Sequence, residues 1–276
     1  GGIVVKEETF NRIQSKFSKF KFSSMNYIDY EDICNYEVKV ENDNIILIYG
    51  FNYEGKVNEY HWATNSVEYL IDRLKHKKEF LVTFIPHEWV SKLEEGGLII
   101  RNAWHDYFNY SLNEMEPSDD FEFLTIEECE EASKVTMMCK NQSRGFTGQT
   151  SKWMKEWISN TEDSGSNSGT RNNGIIIERD ISNEIIGLIC VATYGHESKK
   201  GSILWIREVA VIPKFQNMGI GRKLILKALA YGKKYNAARA FLAADECNVS
   251  GIHLYTSIGF VPSEEKSQID MIKRGN

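Results

Sequence analysis

The stretch that most constrains the fold is residues 202–232, "SILWIREVAVIP" followed by "KFQNMGIGRKLILKALAYG". A mostly apolar run of the first kind is the pattern of a central strand buried on both faces. It ends at Pro213. Beyond a short polar loop holding Gly219 and Gly221, the apolar positions Leu224, Ile225, Ala228, Leu229 and Gly232 recur at helical spacing. A buried strand, a loop almost without side chains and a helix that starts at once make an α/β unit. They also leave the first N–H groups of a helix with nothing beside them.

Around this stretch the second half reads as a mixed sheet. "FEFLTIEE" predicts a strand running into a helix over about 128–141, and a second helix spans about 151–159. "GIIIER" and "IIGLICVATYG" predict a hairpin about "DISNE". "ARAFLAAD" is a buried strand, "VSGIHLYTSIG" a short helix stopped by Gly259, and "IDMIK" a closing edge strand. "SNTEDSGSNSGTRNNG" (159–174) is polar and glycine-rich, the composition of a mobile loop.

The first half runs parallel to this from its second strand onward. "YEVKV", "NIILIYGF" and "VNEYHW" predict strands, "SVEYLIDRLKH" a helix, "EFLVTFIP" a buried strand, "HEWVSKLEEGG" a short helix and "LIIRNAW" a strand. "HEWVSKLEEGGL" resembles "GIHLYTSIGF" element for element, which predicts an internal repeat. The polar "SLNEMEPSDD" (111–120) reads as a linker, giving domains at 1–115 and 121–276. Where the second half has its glycine pair, the first has only "ATN".

Composition narrows the function. The 276 residues are 42% hydrophobic and 26% charged, as in soluble globular proteins, with a net charge of −6. That balance argues against nucleic acid as a partner and mildly for cationic ligands. Lys16, Lys19 and Lys21 read as a solvated face. No apolar run reaches a membrane span and no signal-peptide pattern opens the sequence, so no membrane partner is expected. Five cysteines stand at irregular spacings without a Cys-x-x-Cys, which indicates no metal site and a reducing, cytoplasmic location. Oligomeric state stays open between monomer and homodimer.

The loop is short of the nucleotide fingerprints. "GIGRKL" lacks the third glycine of a dinucleotide loop, and no Gly-Lys-Ser/Thr makes a P-loop. An ordinary strand-to-helix turn explains the glycines alone equally well. Helix N-termini nevertheless attract anions through free N–H groups and the helix dipole, and Arg222 can add a salt link.

Gln216-Asn217-Met218-Gly219-Ile220-Gly221 resembles the Gln/Arg-x-x-Gly-x-Gly/Ala pyrophosphate loop of the GCN5-related N-acetyltransferase (GNAT) superfamily. Downstream, Asn248 followed by "HLYTSIGF" is similar to the family's Asn…Leu-Tyr-x-x-x-Gly-Phe ending, and "EVAVIP" before the loop matches too. The resemblance covers about 121–276. It implies a GNAT fold: a central mixed, mostly antiparallel sheet flanked by helices and splayed at its fourth strand. The first half then looks like a degenerate copy that binds no coenzyme A, in a tandem arrangement.

The resemblance further implies an acetyl-CoA-dependent N-acetyltransferase acting on a primary amine of a small molecule or peptide amino terminus, by direct attack in a ternary complex. Gln216, Asn217, Met218, Gly219, Ile220, Gly221, Arg222 and Asn248 would bind the cofactor. The backbone of Val209, Ala210 and Val211 would pair with its pantetheine arm like an added strand. Asn248 also suits a helix cap. An alkylamine is protonated near pH 7, and removing that proton costs about 4–5 kcal/mol, so a base is needed. Glu208, a carboxylate within an apolar strand, is the candidate, with Arg207 an awkward partner because adjacent strand residues face opposite ways; His196 is second. Tyr255 occupies the family's general-acid position. No cysteine has a histidine placed beside it for a covalent route. Phe146, Trp153 and Trp157 read equally as core or as a cation-binding wall. A non-catalytic acyl-CoA-binding module carries the same motifs.

Overall fold

β-branched and aromatic residues fill the strands, and Asn or Asp closes the hairpins. Asn42 Oδ1 accepts from the N–H groups of Asn44 and Ile45. Asp180 Oδ1 accepts from those of Ser182 and Glu184, turns made by side chains that mimic backbone acceptors. The computed structural model describes residues 2–140, 142–160 and 169–275.

In chain order the elements are β1 (Ile3–Val4), α1 (Glu7–Phe17), β2 (Phe22–Ser23), α2 (Tyr30–Ile33), β3 (Glu37–Glu41), β4 (Ile45–Asn52), β5 (Val57–Thr64), α3 (Val67–Leu74), β6 (Phe80–Ile85), α4 (Val90–Glu95) and β7 (Ile99–Asn109). They continue as α5 (Cys129–Met138), α6 (Ser151–Ser159), β8 (Arg171–Arg179), β9 (Ile185–Tyr194), β10 (Ile203–Val211), α7 (Ile220–Lys234), β11 (Arg239–Asp245), α8 (Val249–Ile258), β12 (Val261–Pro262) and β13 (Gln268–Lys273).

The chain forms two units, Gly1–Ala103 with Ser267–Asn276, and Trp104–Lys266. In the second, the strand order is β7-β11-β10-β9-β8, with β12 on β7. β8, β9 and β10 are antiparallel neighbours. β10 and β11 are parallel but pair only at Ile203–Trp205 with Arg239–Phe241. Beyond Trp205 the two strands part, so the sheet is mixed, mostly antiparallel and splayed where expected. The α7 face buries Leu224, Ile225, Ala228 and Leu229 against β9 and β10 residues such as Ile189 and Leu204. The other face packs α5 and α6 through Ala132, Val135 and Met154.

The first unit repeats the plan. β3, β4 and β5 are antiparallel, and β5 runs parallel to β6 only at Glu59–Leu81 and Tyr60–Val82. One face packs α3 and α4 through Leu70 and Leu93, the other α1 through Phe10 and Ile13. α1, β1 and β2 were not foreseen. β2 pairs with the part of β5 beyond the splay, Phe22 to Thr64 and Ser23 to Ala63. Ser24 extends the contact, donating its N–H to Trp62 O at 2.9 Å. Strand β2 thus occupies a backbone edge whose counterpart on β10 has no strand beside it among the described residues.

Three expectations are corrected. "IDMIK" is no edge strand of the second half: β13 lies in the first unit between β6 and β7, with Ile269, Met271 and Ile272 buried. Its one charged residue before Lys273, Asp270, is itself buried. It accepts from Asn102 Nδ2 at 2.9 Å and from the Phe84 N–H at 3.1 Å. The units therefore divide within β7, after Ala103, rather than at 115–121. "FEFLTIEE" makes only an isolated bridge, Phe123 with Ile176. The loop expected at 159–174 falls largely on 161–168, outside the described residues, and β8 already begins at Arg171.

Gly50 on β4 lets the Tyr36 ring lie against the strand: a Cβ there would stand 2.1 Å from Tyr36 Cδ1. Such overpacking costs about 2–3 kcal/mol. Gly50→Ala should lower the Tm by about 5–10 °C in a thermal melt.

Candidate acyl-CoA cleft

The loop after β10 is set by backbone chirality. Asn217 (φ 62°) and Gly219 (φ 85°) are both left-handed, a region Gly and Asn enter most readily. Their turn aims the chain into α7, with Gly219 as its N-cap. Among the described residues, the N–H groups of 217–222 have no hydrogen-bond acceptor. They converge at the positive end of a 15-residue helix, the setting that holds a phosphate or diphosphate. A Cβ on Gly219 would meet nothing within 4 Å, and one on Gly221 would touch only Leu254 Cδ2 at 3.4 Å. The space above the loop is open to a ligand.

That space is a cavity of about 940 Å³, in the range of ligand sites. Of the residues singled out from sequence, Val209, Val211, Gln216, Asn217, Gly219, Gly221, Arg222, Asn248 and Tyr255 line it. Ala210, Met218 and Ile220 do not. Ala210 is buried in the core, Met218 is exposed, and Ile220 packs against the α7-side core. Gln142 and His253 line the cavity and were missed; His253 opens the "HLYTSIGF" run but is not one of its Leu-Tyr-x-x-x-Gly-Phe positions, and Gln142 lies in no motif, so only the folded chain reveals them.

The edge of β10 forms one wall. Val209 O accepts from Gln142 Nε2 at 3.1 Å. Val211 O accepts from Gln216 Nε2 at 2.9 Å and from Cys139 Sγ at 3.1 Å. These carbonyls face the side that β11 has left. Burial pushes the Cys139 thiol up to about 11, its bond to Val211 O opposing this in part. A thiol so held stays protonated and is a poor nucleophile.

The opposite wall is α8. Asn248 caps it, its Oδ1 accepting from the Gly251 N–H at 3.1 Å. Gly259, at φ 111°, ends it. The Phe260 N–H reaches Tyr255 O at 3.0 Å and the Gly259 N–H reaches Thr256 O at 3.1 Å, the paired bonds of a Schellman cap. This holds the turn that carries Tyr255. Burial pushes its phenol up to about 12. Arg222 is tied to α8 by a 2.7 Å bond from Nη2 to Ser257 Oγ.

Glu208 does not line the cavity. The register of β10 on β9 shifts between Ile206 and Glu208. This bulge breaks the alternation of faces and brings the neighbouring Arg207 Nη1 to 2.7 Å from Glu208 Oε1, correcting the expectation that Arg207 is badly placed. Gln149 Nε2 donates to the same oxygen at 2.8 Å. Arg207 in turn lies 5.6 Å from the Trp153 ring and 5.7 Å from the Trp205 ring, so the cation on this aromatic wall is the chain's own. Trp157 stacks on Trp153 and donates Nε1–H to Gly174 O, while Phe146 packs on the α5–α6 core. His196 is bonded to Thr193 Oγ1 at 2.9 Å and is not part of the cavity wall. Among the described residues no three His, Cys, Asp or Glu side chains converge as a metal site, and no helix is long and apolar enough to cross a membrane.

Comparison with known proteins agrees with this geometry. Residues 137–260 match the Acetyltransferase (GNAT) family. No curated protein sequence matches the chain. Among solved structures, the chain is similar to a functionally unknown conserved protein from Staphylococcus epidermidis, with TM-score 0.56 and 15% identity over 92% of this chain and 100% of that one. A GCN5-related N-acetyltransferase from Sphaerobacter thermophilus gives TM-score 0.51 and 14% identity, covering 84% of this chain and 78% of its own. A GNAT-family acetyltransferase from Colwellia psychrerythraea gives TM-score 0.51 and 9% identity over 98% of both chains. At these identities the structures speak to the fold, which extends over nearly the whole chain. With its family match and its splayed sheet, the chain carries a GNAT acetyltransferase domain at residues 137–260.

Proposed function

We propose that this protein transfers an acetyl group from acetyl-CoA to a primary amine, either of a small molecule or of an amino terminus, by direct attack in a ternary complex. The observation that carries this reading is that the loop residues Asn217, Gly219, Gly221 and Arg222, whose N–H groups have no acceptor among the described residues, line one cavity with the edge of β10 and Tyr255. Acetyl-CoA, when bound, supplies an activated acyl thioester. Residues 217–222 and Arg222 hold its diphosphate. Val209 and Val211 bind its extended arm once the side chains of Gln142 and Gln216 rotate off their carbonyls. Asn248 supports the same arm from the α8 cap.

Tyr255 keeps a proton for the departing sulfur. Its raised pKa means that the phenol stays protonated well into alkaline solution, so its ionisation removes no activity between about pH 8 and 10. Glu208 takes the amine proton through intervening water. A cytoplasmic location is part of this reading, supported by five cysteines that form no disulfide.

One observation favours a second reading, a non-catalytic acyl-CoA-binding module: Glu208 is bonded to Arg207 and Gln149 and stands outside the cavity lining. Incubation with acetyl-CoA and a panel of small amines and peptides, followed by thiol release, separates the two. Binding of coenzyme A with no amine raising thiol release would leave the module reading. Under the enzyme reading, Tyr255→Phe should lower kcat about 100-fold while the Kd for coenzyme A stays within twofold. Unchanged kcat would remove Tyr255 from the proton transfer.

A further inference from the structure

The first unit has a cavity of its own, about 680 Å³, in the region where β5 and β6 part. Its floor is a buried polar cluster. Glu59 Oε1 accepts from Tyr36 Oη at 2.8 Å and faces His61 Nε2 at 3.2 Å. Glu59 Oε2 accepts from Asn52 Nδ2 at 3.2 Å. The far side of the imidazole, Nδ1, lies 3.4 Å from Thr83 Oγ1. Glu59 and His61 are 5% and 3% exposed. Burial works to raise the Glu59 carboxyl, and the bond and charge of His61, with bonds from Tyr36 and Asn52, outweigh it and hold it below the usual range. A carboxylate is thus kept ionised at the bottom of a pocket.

The walls carry more of the same charge. Glu31, Asp32 and Glu54 line the cavity, and among the described residues no Lys or Arg does. The rim is aromatic. Tyr27 stacks on Phe84 with ring centroids 4.9 Å apart, and Phe51 meets Tyr53 edge-on at 4.9 Å. Tyr27 and Tyr53 are 72% and 84% exposed, so their rings are presented to water rather than committed to the core. Phe84 sits at φ 54°, a strained conformation for a bulky residue, of the kind that collects at ligand sites. The Phe84 N–H donates to Asp270, which helps fix the ring in the wall.

A buried carboxylate, further acids and exposed aromatic faces all attract the same chemistry, a positive charge on a small apolar body. We propose that this cavity binds a small organic ammonium ion. It is a site separate from the cleft of the second unit and does not depend on the acetyl-transfer reading. β2 occupies the edge of β5 that a coenzyme would need, so the first copy of the fold has lost the acyl donor and keeps a pocket for a cation.

Calorimetric titration of the full chain with choline, tetramethylammonium and n-butylammonium chlorides tests this, with 3,3-dimethylbutan-1-ol as the uncharged counterpart of choline. At least one cation should bind, and the alcohol should bind at least tenfold more weakly. Tyr27→Ala, at an exposed position, and Glu59→Gln should each weaken the cation at least tenfold. Gly221→Glu in the other cleft should leave it unchanged. The proposal is overturned if none of the three cations binds, if the alcohol binds as well as choline, if Tyr27→Ala keeps wild-type affinity, or if binding is lost in Gly221→Glu instead. Failure of coenzyme A to bind would bear only on the second unit.

Discussion

Gly221→Glu should weaken coenzyme A binding at least 100-fold in Kd without lowering the Tm. The substituted side chain meets little resistance, because a Cβ at Gly221 contacts only Leu254 at an ordinary 3.4 Å. A carboxylate in the first turn of α7 also interacts favourably with the helix dipole, by about 0.3–1 kcal/mol, and glutamate is a better helix residue than glycine. The variant should therefore fold as well as the wild type or slightly better. The same carboxylate takes the N–H groups of 217–222 that a diphosphate would use and opposes its charge. A 100-fold loss corresponds to about 2.7 kcal/mol, which a few lost charge-assisted bonds supply. Calorimetry with coenzyme A, beside a thermal melt, separates the two effects. Affinity within threefold of wild type would mean that the loop does not hold the cofactor.

Removal of residues 267–276 should be at least as damaging, to stability rather than to binding. This takes away β13, which pairs with β6 from Ile269–Ile85 to Lys273–Phe80. Ile269, Met271 and Ile272 are all buried, and burial of such side chains contributes about 1.5–3 kcal/mol each. Their loss, near 5–8 kcal/mol, rivals the whole stability of an ordinary domain. It also leaves a buried strand edge open to other chains. The shortened protein should show no cooperative melt from the first unit or should aggregate, and a synthetic peptide of residues 267–276 should restore the transition in part. A wild-type melt from the shortened chain would show that β13 is dispensable.

The local features of the fold were legible because they rest on short-range chemistry. The apolar run of β10, the helical spacing in α7 and the Gly259 stop are each fixed by neighbours in sequence. The cleft glycines Gly219 and Gly221 could be found for the same reason, and Asn248 and Tyr255 through the resemblance of their stretch to the GNAT ending. The places of β7 and β13 could not, since an apolar strand does not announce which distant partner it will take. The Arg207–Glu208 pair was hidden by a bulge, which one-residue alternation cannot foresee. Glu59 and His61 alternate on β5 as any strand residues do, and only the fold brings Tyr36 and Asn52 onto them.

The position of β13 also bears on the order in which the protein can be finished. During synthesis the whole of the second unit, residues 104–266, is made before the residues that fill the gap beside β6. Joining β6 to β13 closes a chain segment spanning Val82 to Met271; the entropic cost of closure grows only slowly with such length, but contacts so distant in sequence form late. The first unit must therefore wait, with its β6 edge unpaired, while the cleft-bearing unit is assembled. A chaperone that shields strand edges would act on this interval, and hydrogen-exchange protection of the β6 amides that face β13 should appear only after the last strand has emerged.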